Sequence, residues 1–298
     1  MNIRELKLFR HLAGTLHFGR TSQACNITPS GLTRAMQRLE NELGHELFHR
    51  DKRSVSLSPS GVVFREYAEE VINRWSELQN SLSRNDTLQG ELSLYCSVTA
   101  ILSILPAIFN RFRKEHPDVF LHLQTGDAAK ALYKIYNGEA DISVAALPDQ
   151  QPEGLDFIEL IKTPLIFIAP DNHPRTITYN GIDINWRRTP IIVPERGLGR
   201  DRVDRWFEKK SIEPNIYSQV AGNEAIIAMV GMGCGVGVVP KLVLDQSVLK
   251  EQVTILDVSP KLKPFSVGIC TAQKNRRNPV IAAFWDIATR EAYDVQSI

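Results

Sequence analysis

Closely spaced cysteines are missing from this chain. Its four, Cys25, Cys96, Cys234 and Cys270, stand 71, 138 and 36 residues apart, so no Cys-x-x-Cys pair exists. That excludes a signalled zinc site or redox pair and leaves four buried thiols in a reducing compartment as the expectation. Long apolar runs are missing too: none approaches the roughly 20 residues a membrane helix needs. The opening MNIRELKLFRHLAG alternates charge with apolar residues and holds no signal-peptide core, so a cytoplasmic protein is expected. No Gly-x-Ser-x-Gly elbow occurs, the histidines are read as surface or phosphate-contacting groups, and no metal or cofactor site is expected. Net charge is nearly absent at +1. It is unevenly spread, because residues 1–60 hold nine Lys/Arg against five acids, a net of +4. A basic head permits a polyanionic partner without demanding one. Hydrophobic residues at 43% and charged ones at 23% of 298 residues describe an ordinary globular chain of about two domains.

Three zones can be read along it. To about Gly61, short helical patterns are dense. Leu6, Phe9, His11–Leu12 and Leu16 predict a helix over about Ile3–Thr15, and a shorter one follows over about Arg20–Cys25. Thr28 then stands as an N-cap with Pro29 at the first helical position. Leu32, Met36, Leu39 and Leu43 make one buried stripe, and Gly44 ends the helix. ELFHRDKRSVSLSPSG reads as two short strands around a charged turn at Asp51–Arg53. In the second zone, about residues 58–83, Phe64, Ala68, Val71, Trp75, Leu78 and Leu82 step by four and three. Such a heptad seam predicts pairing with another subunit in preference to packing in its own domain. The third zone follows a break near Asn85–Gly90 and alternates strand with helix. ELSLYCS, VFLHLQT, ADISVAAL, LIFIAP, IIVP, GVGVVP and PFSVGIC read as strands. TAILSILPAIFNRFRKEHP, AAKALYKIYNGE, RDRVDRWFEKK, NEAIIAMVGMG and a closing stretch near Pro279–Tyr293 read as helices. That rhythm predicts two α/β lobes built on parallel, doubly wound sheets.

The chemistry follows from the placement. A short helix, a tight turn at Asn26–Ile27 and an amphipathic helix have the mechanics of a winged helix-turn-helix. The outer face of the second helix carries Thr28, Ser30, Gly31, Thr33, Arg34, Gln37 and Arg38, hydroxyls and guanidinia suited to phosphates and base edges. Arg50, Lys52 and Arg53 belong to the wing, whose tip can reach a neighbouring backbone. In the third zone Ser97, Val98 and Thr99 sit where a strand ends and a helix starts, as do Thr125, Gly126 and Asp127 one unit later. Such positions bind carboxylates in open α/β sheets. Gly222 and Asn223 begin a helix that can close from the second lobe. Six arginines between Arg187 and Arg205 can hold a carboxylate, meet another subunit or line a solvated face. The run Gly231, Gly233, Gly235 and Gly237 follows a helix and precedes a strand, the reverse of a dinucleotide loop, and predicts tight packing. A solute-binding protein is opposed by the basic head, and a two-lobe transferase by the lack of an acid–base set.

HFGRTSQACNITPSGLTRAMQRLENELGHELFHRDKRSVSLSPSG resembles the N-terminal signature of LysR-type transcriptional regulators, with L-T-R, LE-x-x-LG, LF-x-R, a basic wing and L-S-x-x-G in register. Where that family usually has Gln-Pro near the start of the recognition helix, this chain has Pro29–Ser30–Gly31. The resemblance implies an all-α-rich winged helix-turn-helix over 1–58, a dimerising linker helix and hinge over 59–89, and a periplasmic-binding-protein-like effector domain over 90–298. Lobe I would take about 90–165 and 268–298, and lobe II about 166–267. It adds Pro194 to the inter-lobe pocket and implies an operator of double-stranded DNA, RNA polymerase and a homodimer or homotetramer as partners. CSVTA, LQTGDAA, GEADISVA, RWFEKKSIEPNIY and GNEAIIAMVGMGCGVGVVP are similar to members of the family that activate isoleucine–valine biosynthesis. That implies acetolactate or acetohydroxybutyrate as inducer and repression of the regulator's own gene. A regulator answering a different small carboxylate is the alternative.

Overall fold

Reciprocal capping starts the chain. In this computed structural model, which describes residues 1–51, 54–82, 88–150, 152–171 and 176–296 but not the side chains of 80–82 and 293–296, Asn2 accepts the Glu5 N–H at 2.9 Å. The Glu5 carboxylate accepts the Asn2 N–H in return, which opens helix α1 (Ile3–Thr15) at its expected bounds. Helix α2 (Phe18–Ala24) begins two residues ahead of expectation because His17 caps it, Nδ1 accepting the Arg20 N–H at 3.2 Å. Helix α3 (Pro29–Leu43) starts behind Thr28, whose hydroxyl accepts the Gly31 N–H at 3.1 Å, and stops at Gly44. Gly31 has a packing reason, since a Cβ there would lie 3.0 Å from both Ile27 Cγ1 and Thr28 Oγ1. Strands β1 (Phe48–Arg50) and β2 (Val55–Leu57) pair antiparallel as the wing.

Helix α4 (Pro59–Leu82) leaves the wing and divides the expected seam. Phe64 and Ala68 are buried in the core of the winged helix together with Ile72, and Val71 packs against the same core. The Phe64 ring meets Phe9 edge-on at 4.7 Å, because the first half of α4 lies across α1. These residues therefore belong to their own domain, which corrects the reading of Phe64, Ala68 and Val71 as subunit contacts. Trp75 and Leu78 are 41% and 49% exposed. The Leu82 side chain lies outside the described residues.

Lobe I starts with β3 (Gly90–Cys96), α5 (Val98–Ser103), α6 (Leu105–Glu115), β4 (Val119–Thr125), α7 (Ala131–Tyr136), β5 (Ile142–Ala146) and β6 (Leu155–Thr163). The single helix expected over TAILSILPAIFNRFRKEHP breaks at Ile104. Pro106 has no N–H to continue the ladder and sits in the first turn of α6. Lobe II follows with β7 (Leu165–Pro170), β8 (Tyr179–Asn180), β9 (Asp183–Ile184), β10 (Pro190–Pro194), α8 (Leu198–Lys209), β11 (Asn215–Val220), α9 (Asn223–Gly231), β12 (Val236–Pro240), α10 (Lys241–Asp245) and β13 (Val253–Leu256). The chain then returns to lobe I through β14 (Phe265–Ala272) and α11 (Pro279–Gln296). That return falls before Phe265, a few residues ahead of the expected boundary.

The sheets run β4-β3-β5-β14-β6 and β11-β10-β12-β7-β13. Both are mixed, which corrects the expectation of parallel sheets: β14 is antiparallel to β5 and β6, and β7 is antiparallel to β12 and β13. The antiparallel strands are the ones next to the two lobe crossings, where the chain changes sheet without a helix between. Gly235 and Gly237 are packing glycines, as expected. A Cβ on Gly237 would lie 2.6 Å from Ile226 Cγ2 of α9, and one on Gly235 2.6 Å from the Pro190 carbonyl oxygen. All four cysteines are free; Cys96 and Cys270 are buried, but Cys25 and Cys234 are only half-buried. Burial pushes the Cys96 and Cys270 thiols up to about 11. Among the described residues no helix is long and apolar enough to cross a membrane.

Candidate nucleic-acid interface and effector cleft

The recognition face stands clear of the core. Leu32, Ala35, Met36 and Leu39 point inward, and Thr28, Ser30, Arg34 and Arg38 are exposed on the other side of α3. The Thr33 hydroxyl donates to the Pro29 carbonyl at 3.0 Å, and Arg34 Nε donates to the Ser30 carbonyl at 3.3 Å, leaving the guanidinium tip outward. Two of the expected DNA-contacting arginines already have partners within the domain. Arg38 pairs with Glu5 at 2.9 Å. Arg50 pairs with Glu40 at 2.6 Å and lies over the Phe18 ring. Lys52 and Arg53 lie outside the described residues.

Sequence reasoning missed Glu40, which holds the wing. Its Oε1 accepts the N–H groups of Leu47 and Phe48 at 3.0 and 3.2 Å, and its Oε2 takes Arg50. One side chain thus fixes the wing root to the recognition helix. Glu40→Ala strands two backbone donors and a guanidinium, and a hydrogen bond to a charged group is worth about 1.5–3 kcal/mol. Denaturant unfolding is expected to show a loss of about 2–3 kcal/mol, and Glu40→Gln, which keeps an acceptor, a smaller one.

The segment His45–Glu46–Leu47–Phe48–His49 spells His-x-x-x-His within a His-Glu-x-x-His match that sequence reasoning passed over. It runs through a turn into β1, so its two imidazoles do not share a helical face. Among the described residues no group of three or more His, Cys, Asp or Glu could hold a metal. His17 is a helix cap. His11 faces lobe I instead, near Glu139 and Lys134, and burial lowers its pKa. The winged helix rests there on lobe I, with Gly14 so close that a Cβ would lie 2.1 Å from the Asn137 carbonyl oxygen.

Between the lobes lies a cavity of about 230 Å³, below the roughly 300–1,000 Å³ of sites for drug-sized ligands. Pro194, Gly222 and Asn223 line it, as expected. Ser97, Val98, Thr99, Thr125 and Gly126 do not; lobe I contributes Asp127, Ala128, Ala129, Leu132, Ala145 and Ala146. Each absentee has a local role or setting. Ser97 caps α5 by accepting the Ala100 N–H at 3.2 Å, Val98 is exposed beside it, and buried Thr99 donates to Glu224 Oε1 across the lobes at 2.7 Å. Gly126 donates its N–H to the Cys96 carbonyl at 3.0 Å, and Thr125 is exposed at the end of β4.

Lobe II faces the cavity with the first turns of α8 and α9. Their N-caps, Gly197 and Gly222, have φ of +82° and +91° and offer no side chain, so backbone N–H groups are left uncapped at both starts. Such helix ends favour anions. Of the six arginines, only Arg196 lines the cavity. Arg202 is buried and braces the return crossing, donating to the Lys263 carbonyl at 2.8 Å and to Asp149 at 3.1 Å. Arg200 pairs with Asp204 and Arg205 with Asp149, while Arg187 and Arg188 are exposed. The signal for Arg196 was available: Pro194–Leu198 is another strand end running into a helix start.

A winged helix with an exposed hydroxyl-and-arginine face, joined by a long helix to two α/β lobes around a small cleft, defines a ligand-responsive DNA-binding protein. Residues 3–62 match the bacterial regulatory helix-turn-helix of the LysR family, and residues 85–292 match the LysR substrate binding domain. The chain belongs to the LysR family of bacterial transcriptional regulators. It is similar to the HTH-type transcriptional activator IlvY of Salmonella typhimurium, 40% identical over 292 residues covering 96% of this chain and 99% of that one. Identity is also 40% over 294 residues with the HTH-type transcriptional regulator IlvY of Escherichia coli K12, covering 96% and 98%. Its fold is similar to that of a full-length OxyR variant from Pseudomonas aeruginosa, with a TM-score of 0.62 at 23% identity over 97% and 98% of the chains. Full-length LysG from Corynebacterium glutamicum with bound effector Arg gives 0.61 at 18% identity over 99% of both.

Proposed function

We propose that this protein is an inducer-dependent activator of isoleucine–valine biosynthesis, acting in the cytoplasm on the gene for acetohydroxy acid isomeroreductase and repressing its own. The observation that carries this reading is the 40% identity to IlvY regulators along 96% of the chain. In this account Thr28, Ser30, Thr33 and Arg34 read the operator, with Lys52 and Arg53 of the wing beside them. Trp75 and Leu78 hold the subunits of a homodimer, or of a homotetramer built from it, so that two recognition helices meet two half-sites at fixed spacing. RNA polymerase is the partner through which activation is exerted.

Acetolactate and acetohydroxybutyrate are the proposed inducers. They are small enough for the cleft and carry the negative charge that Arg196 and the uncapped helix starts favour. A ligand held by both lobes favours one lobe arrangement, and only that difference in affinity can alter the DNA complex. Titration calorimetry of the full chain with acetolactate is expected to show saturable binding at one site per chain. Saturable binding of another small carboxylate, with none of acetolactate, would reassign the inducer and keep the regulator.

A further inference from the structure

We propose that the inducer's carboxylate displaces a carboxylate of the protein itself: it takes Arg196 from Asp127 and so releases a tie between the lobes. This rests on the cleft being the effector site. Four charged side chains line the cavity, Asp127, Glu195, Arg196 and Asp201. Among the described residues Arg196 is its only cation, so an entering anion meets three like charges and one receiver. Arg196 lies in lobe II, between β10 and α8, and its Nε is 4.0 Å from Asp127 Oδ2 in lobe I. Its other partner is its own neighbour Glu195, at 3.2 Å. Of these two Arg196 pairs, the one with Asp127 is the one that spans the cleft.

That pair is poised for exchange. Arg196 is half exposed and the separation is at the limit for an ion pair, so its worth is small. A free carboxylate can approach the planar fork side-on and make two short charge-assisted bonds. Asp127 cannot follow freely, because its Oδ1 accepts the Ala129 N–H at 3.0 Å and its backbone carbonyl accepts the Tyr95 hydroxyl at 2.9 Å. Thr99–Glu224 spans the lobes independently at 2.7 Å, so the lobes stay linked when the Arg196 tie is released. Asp127 therefore acts as a built-in competitor, and Arg196 as the residue that selects carboxylates.

The test is calorimetry of the full chain with acetolactate, using Arg196→Gln, Arg196→Lys and Asp127→Asn. Arg196→Gln should weaken binding about 10- to 100-fold, with partial recovery in Arg196→Lys. Asp127→Asn keeps the cap on Ala129 and removes the competitor, so it should tighten binding about two- to fivefold. Opposite signs from two variants in one cavity are not the mark of a structural defect, which would weaken both. Unchanged binding in Arg196→Gln, or weaker binding in Asp127→Asn, overturns the exchange while leaving the effector reading intact. No binding of acetolactate to the unaltered protein rejects that inducer and the exchange together.

Discussion

Arg34→Ala should lower affinity for operator DNA by about 5- to 150-fold, the range of one good bidentate contact to a base. Arg34 is exposed on α3, pairs with no carboxylate among the described residues, and donates its Nε–H to the Ser30 carbonyl. Its loss leaves the core stripe of Leu32, Met36 and Leu39 untouched. Thermal unfolding should therefore stay near that of the unaltered chain, as for surface substitutions in general, within about 0.5 kcal/mol. Arg38→Ala makes the useful contrast. It breaks the pair with Glu5, which is buried at the start of α1, so part of its effect should appear as lost stability. Gel shifts on operator DNA selected from a random pool, read beside unfolding curves, separate the two. Equal affinity for DNA in Arg34→Ala would remove α3 from the role of reader.

Trp75→Glu combined with Leu78→Glu should break the dimer and weaken DNA binding with it. Both side chains are large, apolar and exposed on α4 beyond the stretch that packs on α1. A carboxylate buried without a partner at a subunit contact costs several kcal/mol, roughly the scale of an interface hot spot of 2 kcal/mol or more. Dissociation should rise at least about 30-fold. Phe64→Glu is expected to behave differently, unfolding the winged helix, since Phe64 packs edge-on against Phe9 inside its core. Sedimentation velocity checks both: unchanged oligomers in the Trp75/Leu78 double variant would place the subunit contact elsewhere.

The winged helix was legible because its signals are local. Thr28 and Gly44 sit within one turn of the helix ends they set, and a stripe repeated every three or four residues needs no partner to be recognised. Contacts made across long stretches of chain were not legible. Strand β6, LDFIELIKT, carries Asp156, Glu159 and Lys162 and was passed over; it is held by β14, more than a hundred residues later. The partners of Arg38 and Arg50 are 33 and 10 residues away, and no helical spacing announces them. The seam on α4 has the right period, yet period alone does not say which helix covers it; Phe9 and the rest of the winged-helix core cover its first half. In the cleft, the family resemblance supplied Pro194, and the rule of strand ends and helix starts found Asp127, Gly222 and Asn223. That rule misplaced the rest of the lobe I contribution, because Thr99 is engaged by Glu224 and the cavity begins at Asp127, past Thr125 and Gly126.

Footprinting joins the two ends of the molecule in one observation. The full chain would be titrated onto DNA from upstream of the acetohydroxy acid isomeroreductase gene, with and without acetolactate. The protein should protect this DNA in both conditions. Acetolactate should change the pattern of protection or the affinity in the unaltered chain, and should do so only at much higher concentration in Arg196→Gln. A footprint that is the same with and without acetolactate, at concentrations that saturate the cleft by calorimetry, would show that the cleft does not govern the DNA complex.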